Sequence, residues 1–241
     1  MQIFFLTWQS YGDNRSTYPG LFASSMTKNI SIIIIILLVW LTYFALHSAL
    51  ASLSAKRWVA SHWPRLTPYY RLAYNLAATL LLIPPLWILH TSQAVPLWRW
   101  HGLWRWLADG LALAAIAGFW WSLRYYDTRE FLGLRQAQDP GRGPRFSLSP
   151  LHRYVRHPWY FFGLVIIWTR DMDPAWLASC VAISLYFAIG SRLEERKLVA
   201  EFGEPYRRYQ QRVPGLIPLP GRHLSRTETA DIVASANQSP S

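Results

Sequence analysis

The stretch "ISIIIIILLVWLTYFALHSAL", Ile30–Leu50, carries no formal charge and is long enough to span a bilayer. It decides the fold class. A soluble domain usually holds about a quarter charged residues, whereas this 241-residue chain holds 15%, with 52% hydrophobic residues and 14 tryptophans. Further apolar runs follow. Leu72–Leu89 is broken by Pro84-Pro85, which predicts a kink or an end near the outer side of that span. Leu107–Leu123 carries Asp109 near one end, read as structural. Tyr160–Thr169 and Ala175–Ser191 are separated by "RDMDP" and read as a tight helical hairpin. The expectation is an all-α polytopic membrane protein with about five transmembrane helices, a C-terminal helical hairpin and an amphipathic tail.

Charge sets the orientation. Lys56, Arg57, Arg65 and Arg71 lie after the first run, many arginines lie between Arg124 and Arg156, and the tail after Ser191 is basic. The loops after the second and fourth runs are poorer in positive charge. The positive-inside rule then places the N-terminus outside and the C-terminus in the cytoplasm, with the chain in a bacterial inner membrane. The net charge of +11 is interleaved with apolar segments rather than gathered on one face, which argues against nucleic acid as a partner. The one cysteine, Cys180, excludes an intramolecular disulfide framework and a cysteine-based metal cluster. No metal ligands are expected. Residues 1–29 read as an N-terminal extension, disordered or preceding a true start at Met26. Residues 30–220 read as the membrane domain, and residues 221–241 as a disordered tail.

A second stretch raises the question of chemistry. In "YVRHPWYFFG", Tyr154–Gly163, a titratable cluster stands where a helix enters lipid. Pro158 suits the first turn of a helix, so His157 sits at its lip and Tyr160 lies on the same side. After the last apolar run comes "LEERKLVAEFGEPYRRYQQRVPGLIP", with the adjacent carboxylates Glu194 and Glu195. Phe202, Tyr206 and Tyr209 share a helical face, and Gly203 and Pro205 predict a break. Taken singly, these residues also fit an interfacial aromatic belt and a tail lying on anionic lipid. The hairpin brings the two stretches together, however. Arg or His holds a carboxylate, Glu accepts from ribose hydroxyls, and an aromatic face stabilises a sulfonium. That set suits S-adenosyl-L-methionine.

The pattern RHPxY, hairpin, EE, FGxxYxxYxxxVPxxxP resembles the isoprenylcysteine carboxyl methyltransferase superfamily of integral membrane methyltransferases. "ALHSALAS" followed by "KRW" (Ala45–Trp58), "YRLAYN" (Tyr70–Asn75) and "YDTREFLGLRQ" (Tyr126–Gln136) are similar to its bacterial methanethiol S-methyltransferase branch. The first of these patterns is shared with the related nitrite/nitric-oxide-reductase-associated membrane family. Two features depart from the pattern: a loop, Ala137–Ser149, that looks short, and His152 where the superfamily usually has Tyr.

The resemblance implies cofactor contacts from His157, Pro158, Trp159, Tyr160 and Glu194, with Arg145 and Phe146 as weaker candidates. Glu195 and Tyr206 are either pocket residues or structural. It implies transfer of a methyl group to a small thiol or other membrane-soluble nucleophile. The alternatives are a prenyl-cysteine carboxylate, a phospholipid amine, or a non-catalytic accessory role. A thiol reacts as its thiolate, so cations that favour the anion are catalytic candidates: Arg153 and Arg156, with Arg192 beside them. His47, an ionisable group inside the first span, is another. Its alternative role is a bond to a neighbouring helix backbone. Arg71, Tyr74 and Asn75 open the second span at the same depth.

Overall fold

The computed structural model describes residues 19–92, 94–126 and 146–238. Helices α1 (Pro19–Ala51), α2 (Leu53–His62), α3 (Tyr70–Leu81), α4 (Ile83–Thr91), α5 (Gly102–Leu123), α6 (Pro158–Trp168), α7 (Pro174–Arg212) and α8 (Arg226–Gln238) carry the fold. Two short 3₁₀ turns, Pro64–Tyr69 and Pro150–Arg153, link them. The described residues contain no strand, only one isolated bridge between Trp98 and Met172.

The apolar surface faces outward, as lipid requires. Leu38 and Leu41 on α1 are 59% and 62% exposed, and Trp104 and Trp106 at one end of α5 are exposed as an interfacial belt would be. The core is narrow. Ile36 and Trp40 of α1 pack on Ala175 of α7, and partly buried Ile88 and Leu89 of α4 join them. Small residues on α7 let α1 approach closely, and the Trp40 indole donates to the Ser179 hydroxyl at 2.9 Å. On α5, buried Ala108, Ala112 and Ala115 make the corresponding small-residue face.

Several expectations need correction. The first helix starts at Pro19 and its candidate span at Met26, so residues 26–29 belong to the span and not to a separate segment. The kink expected at the proline pair is present. Helix α3 stops at Leu81, and α4 takes Pro84 and Pro85 into its first turn, where proline is tolerated. Pro64–Thr91 therefore makes one candidate span. Among the described residues, four helical stretches are long and apolar enough to cross a membrane. The expected fourth span, α6, has 11 residues and reaches about 16 Å, roughly half a bilayer.

The last span and the start of the tail are one rod, residues 174–202 of α7. Its break comes at Gly203, whose φ of 60° favours glycine, with Pro205 just beyond. The tight turn before α7 is present, and Asp173 caps it by accepting from the Trp176 amide at 2.8 Å.

The tail is not disordered through residue 238. Ser225 and Glu228 form a reciprocal capping box, with the Glu228 amide 3.1 Å from Ser225 Oγ and the Ser225 amide 2.8 Å from Glu228 Oε2. Helix α8 then buries Ile232 and Ala236 against Phe146, Phe202, Tyr206, Tyr209, Val213 and Leu224. A few apolar residues at helical spacing suffice because the aromatic face of α7 supplies the other half of the core.

Candidate active site

At the basic end of the bundle, the first turn of α6 meets the middle of α7. His157 precedes Pro158 at the helix start, with an extended-side backbone that lets its amide reach outward. The amides of Arg156 and His157 donate to the carbonyls of Pro214 and Gly215 at 2.9 and 3.0 Å. The Arg156 guanidinium grips Glu195 twice, Nε to Oε1 at 2.7 Å and Nη2 to Oε2 at 3.1 Å. It also donates to the carbonyls of Gln210, at 2.9 Å, and Val213. Glu195 accepts further from His157 Nε2 at 3.0 Å and from Gln210 at 3.0 Å. Burial pushes the Glu195 carboxyl up, but these donors outweigh it and hold the group down at about 2. Glu195 lies beyond the apolar part of α7, so this clamp is outside the span.

Glu194 differs from its neighbour. Its side chain is 51% exposed against 11% for Glu195. Its Oε2 lies 3.6 Å from His157 Nδ1, and it faces the Tyr160 hydroxyl. The His157 and Tyr160 rings stack with centroids 5.3 Å apart, and Tyr160 stacks on Phe187 at 4.5 Å. The α7 stripe Tyr186, Gly190, Glu194 has a gap at its centre. Among the described residues, a Cβ at Gly190 would meet only the Tyr160 hydroxyl, at 4.0 Å.

Trp159 points to the other neighbour. Its indole donates to Ser122 of α5 at 2.8 Å, and its ring lies against Phe119 and Tyr126. Behind it, His152 Nδ1 accepts from the Ser149 amide at 3.2 Å, so the ring proton sits on Nε2, 3.4 Å from the Tyr126 hydroxyl. Burial, with the nearby His157, lowers His152 to about 4.

The arrangement offers one solvent-facing carboxylate beside a stacked imidazole and phenol, next to a space on α7. This is a donor set for a polyhydroxylated, cationic ligand.

Three comparisons bear on what that ligand serves. Methanethiol S-methyltransferase 2 of Bradyrhizobium diazoefficiens is 31% identical over 84% of this chain and 79% of its own length. Methanethiol S-methyltransferases of Pseudomonas deceptionensis and Mycobacterium tuberculosis are each 32% identical, covering 74% and 79% of this chain and 70% and 80% of their own lengths. This chain belongs to the methanethiol S-methyltransferase family. No family profile and no solved structure matches it.

As a member of that family the chain is a methyltransferase, and its long apolar helices make it an integral membrane enzyme. Of the residues expected at the site, the structure brings together His157, Pro158, Tyr160, Glu194 and Glu195, with Trp159 on the adjoining wall. Arg156 is fully engaged in the clamp. Arg153 donates from Nε to the Leu224 carbonyl at 3.0 Å and lies over the Tyr154 ring, so it ties down the tail. Phe146 and Tyr206, 6% and 2% exposed, belong to the core under α8 and not to the cluster. Arg145 and the segment 127–136 lie outside the described residues.

His47 does not bond to a backbone. Its Nδ1 is 2.7 Å from the Tyr186 hydroxyl and its Nε2 is 2.6 Å from the Tyr74 hydroxyl. Sequence reasoning missed Tyr186 and Tyr126. The spacing Tyr186, Gly190, Glu194 on one helical face is the signal that points to the first.

Asp109 fulfils its structural reading, pairing with Arg105 at 2.9 Å and Arg170 at 3.1 Å at the opposite end. A cavity of about 510 Å³ beside that network is lined by Arg99, His101, Arg105 and Asp171, far from the cluster.

Proposed function

We propose that this enzyme transfers a methyl group from S-adenosyl-L-methionine to methanethiol or a small thiol like it, at the cytoplasmic face of a bacterial inner membrane. The thiol reading rests on the substrate for which the relatives are named. The observation that carries the cofactor reading is the division of labour between two adjacent carboxylates. Glu195 is consumed by the Arg156 clamp, which leaves Glu194 exposed next to His157 and Tyr160. The concentration of Lys and Arg at this end supports a cytoplasmic location and an outside N-terminus.

S-adenosyl-L-methionine supplies a methyl group already activated on a sulfonium. Glu194 accepts hydrogen bonds from its ribose hydroxyls, and the electron-rich faces of Tyr160 and its stacked partners favour its positive charge. His157, fixed by Glu195, keeps the Tyr160 ring in place. The remaining task is alignment, since an in-line displacement gains up to about 7–11 kcal/mol from orientation. The open space at Gly190, between Glu194 below and Tyr186 above, is where a membrane-dissolved thiol meets a water-soluble donor.

The cofactor reading is tested by binding in detergent. S-adenosylhomocysteine at about 100 times its Kd is expected to stabilise the wild type by about 2.7 kcal/mol. Glu194→Gln is expected to bind at least tenfold more weakly. Equal stabilisation of both proteins contradicts the assignment.

A further inference from the structure

A thiol dissolved in the membrane is protonated, while the reacting species is the thiolate. Some group must take that proton. Arg153, Arg156 and Glu195 are engaged elsewhere, and both nitrogens of His157 face carboxylates, so that ring donates where an acceptor is needed. We infer that His47, held between the hydroxyls of Tyr186 and Tyr74, is the proton acceptor, and that Tyr186 is the group that touches the thiol. This rests on the thiol methyltransferase reading above.

The geometry supports a relay. A neutral imidazole accepts at one nitrogen and donates from the other. The two short contacts, 2.7 Å at Nδ1 and 2.6 Å at Nε2, use both. Ser48 Oγ, 3.2 Å from the Tyr186 oxygen, gives that oxygen a second partner. The Tyr186 ring is fixed by parallel stacking on Phe44, with centroids 4.1 Å apart. The ionisable groups facing His47 among the described residues are Tyr74 from α3, Tyr186 from α7 and, from α1 itself, Tyr43 with its ring centroid 5.6 Å away. Among the described residues, no carboxylate contacts His47.

Tyr186 stands one helical turn from Gly190 and two turns, about 12 Å, from Glu194. The space beside Gly190 therefore has the relay at one end and the donor cradle at the other.

The step balances. The S–H bond breaks as the Tyr186 oxygen takes the proton and passes its own to His47 Nδ1, giving an imidazolium. The thiolate sulfur uses its freed pair to form a bond to the methyl carbon. The methyl–sulfonium bond breaks, its electron pair stays on the donor sulfur, and a neutral thioether remains on each product. The imidazolium releases a proton to water before the next turnover.

The bland alternative is that Tyr74, His47 and Tyr186 merely pin three helices together. A pH profile separates the two. Dimethyl sulfide production from methanethiol is measured from pH 6 to 10 in membranes holding wild type, His47→Gln or Tyr186→Phe. Tyr186→Phe keeps the stacked ring and removes only the hydroxyl, so it serves if His47→Gln fails to fold. Binding of S-adenosylhomocysteine confirms an intact fold in each.

The expected result is a kcat/KM roughly 100-fold below wild type at pH 7. It rises about tenfold per pH unit towards the wild-type value as solvent hydroxide ionises the thiol, and added imidazole partly restores the His47→Gln rate. A variant profile parallel to the wild type's, at whatever level, overturns the assignment, because a structural defect scales the whole curve. Wild-type membranes that make no dimethyl sulfide at any pH overturn the thiol reading itself, and this inference with it.

Discussion

Arg156 and Glu195 form a two-point ion pair at 2.7 and 3.1 Å, with side chains only 13% and 11% exposed. This pair joins the start of α6, the middle of α7 and the loop after α7. It also engages Glu195, while its neighbour Glu194 stays half-exposed beside His157.

Breaking the pair therefore costs stability. Glu195→Gln leaves the Arg156 cation shielded without its counter-charge, and the loss is expected at about 3 kcal/mol. Glu194→Gln removes an exposed group and is expected to change stability by less than about 0.5 kcal/mol. Denaturant titration in detergent, read by far-ultraviolet circular dichroism, checks both. Equal losses contradict the division of roles.

The gap at Gly190 gives a size test. Gly190→Ala adds one carbon in ordinary contact with the Tyr160 hydroxyl at 4.0 Å, and turnover is expected within about threefold of wild type. Gly190→Leu fills the space, and a roughly 100-fold loss is expected from displaced reactants. Initial rates in membranes decide; an active leucine variant contradicts the placement.

The tail helix holds the segment that starts at Phe146. Asn237 both accepts from the Phe146 amide at 3.0 Å and donates to its carbonyl at 2.9 Å. Asn237→Ala removes both bonds and is expected to destabilise the junction by about 1–3 kcal/mol. Hydrogen exchange at residues 146–149 is expected to quicken at least fivefold, with α5 unaffected.

His152 gives a pH dependence whose sign follows from its environment. Its folded pKa, about 4, lies below the unfolded 6.5. Its contribution is complete above pH 6.5, where both states are neutral. It declines as pH falls from 6.5 towards 4, because the unfolded chain takes the proton first. The drop is at most about 3 kcal/mol. Unfolding of wild type and His152→Gln across pH 7 to 4 checks it, and the variant is expected to show the flatter curve. Glu195, held down at about 2, contributes in a separate window, between about 4.5 and 2.

The apolar runs and the RHPxY and EE elements were legible because they are local. Run length, proline position and helical spacing suffice for them. The roles of Glu194 and Glu195 were not legible, since adjacent residues on a helix point about 100° apart and only the packing of α6 tells which one turns inward. Phe146 read as a weaker pocket candidate, and Tyr206 as either pocket or structural, because their partner, α8, looked like a polar tail. Its capping box at Ser225 and Glu228 was present in the sequence, but its few apolar residues make a core only against α7. The partners of His47 come from helices distant in sequence, so no local pattern announces both. The short α6 looked like a full span because its apolar character, not its length, was the visible property.

Thiol methylation at a site built on Glu194 and His157 can be read by headspace gas chromatography of membranes supplied with S-adenosyl-L-methionine and methanethiol. Dimethyl sulfide is expected from the wild type, with a loss of at least about 100-fold in both Glu194→Gln and His157→Ala. Wild-type membranes without dimethyl sulfide, or variants that match the wild-type rate, contradict it.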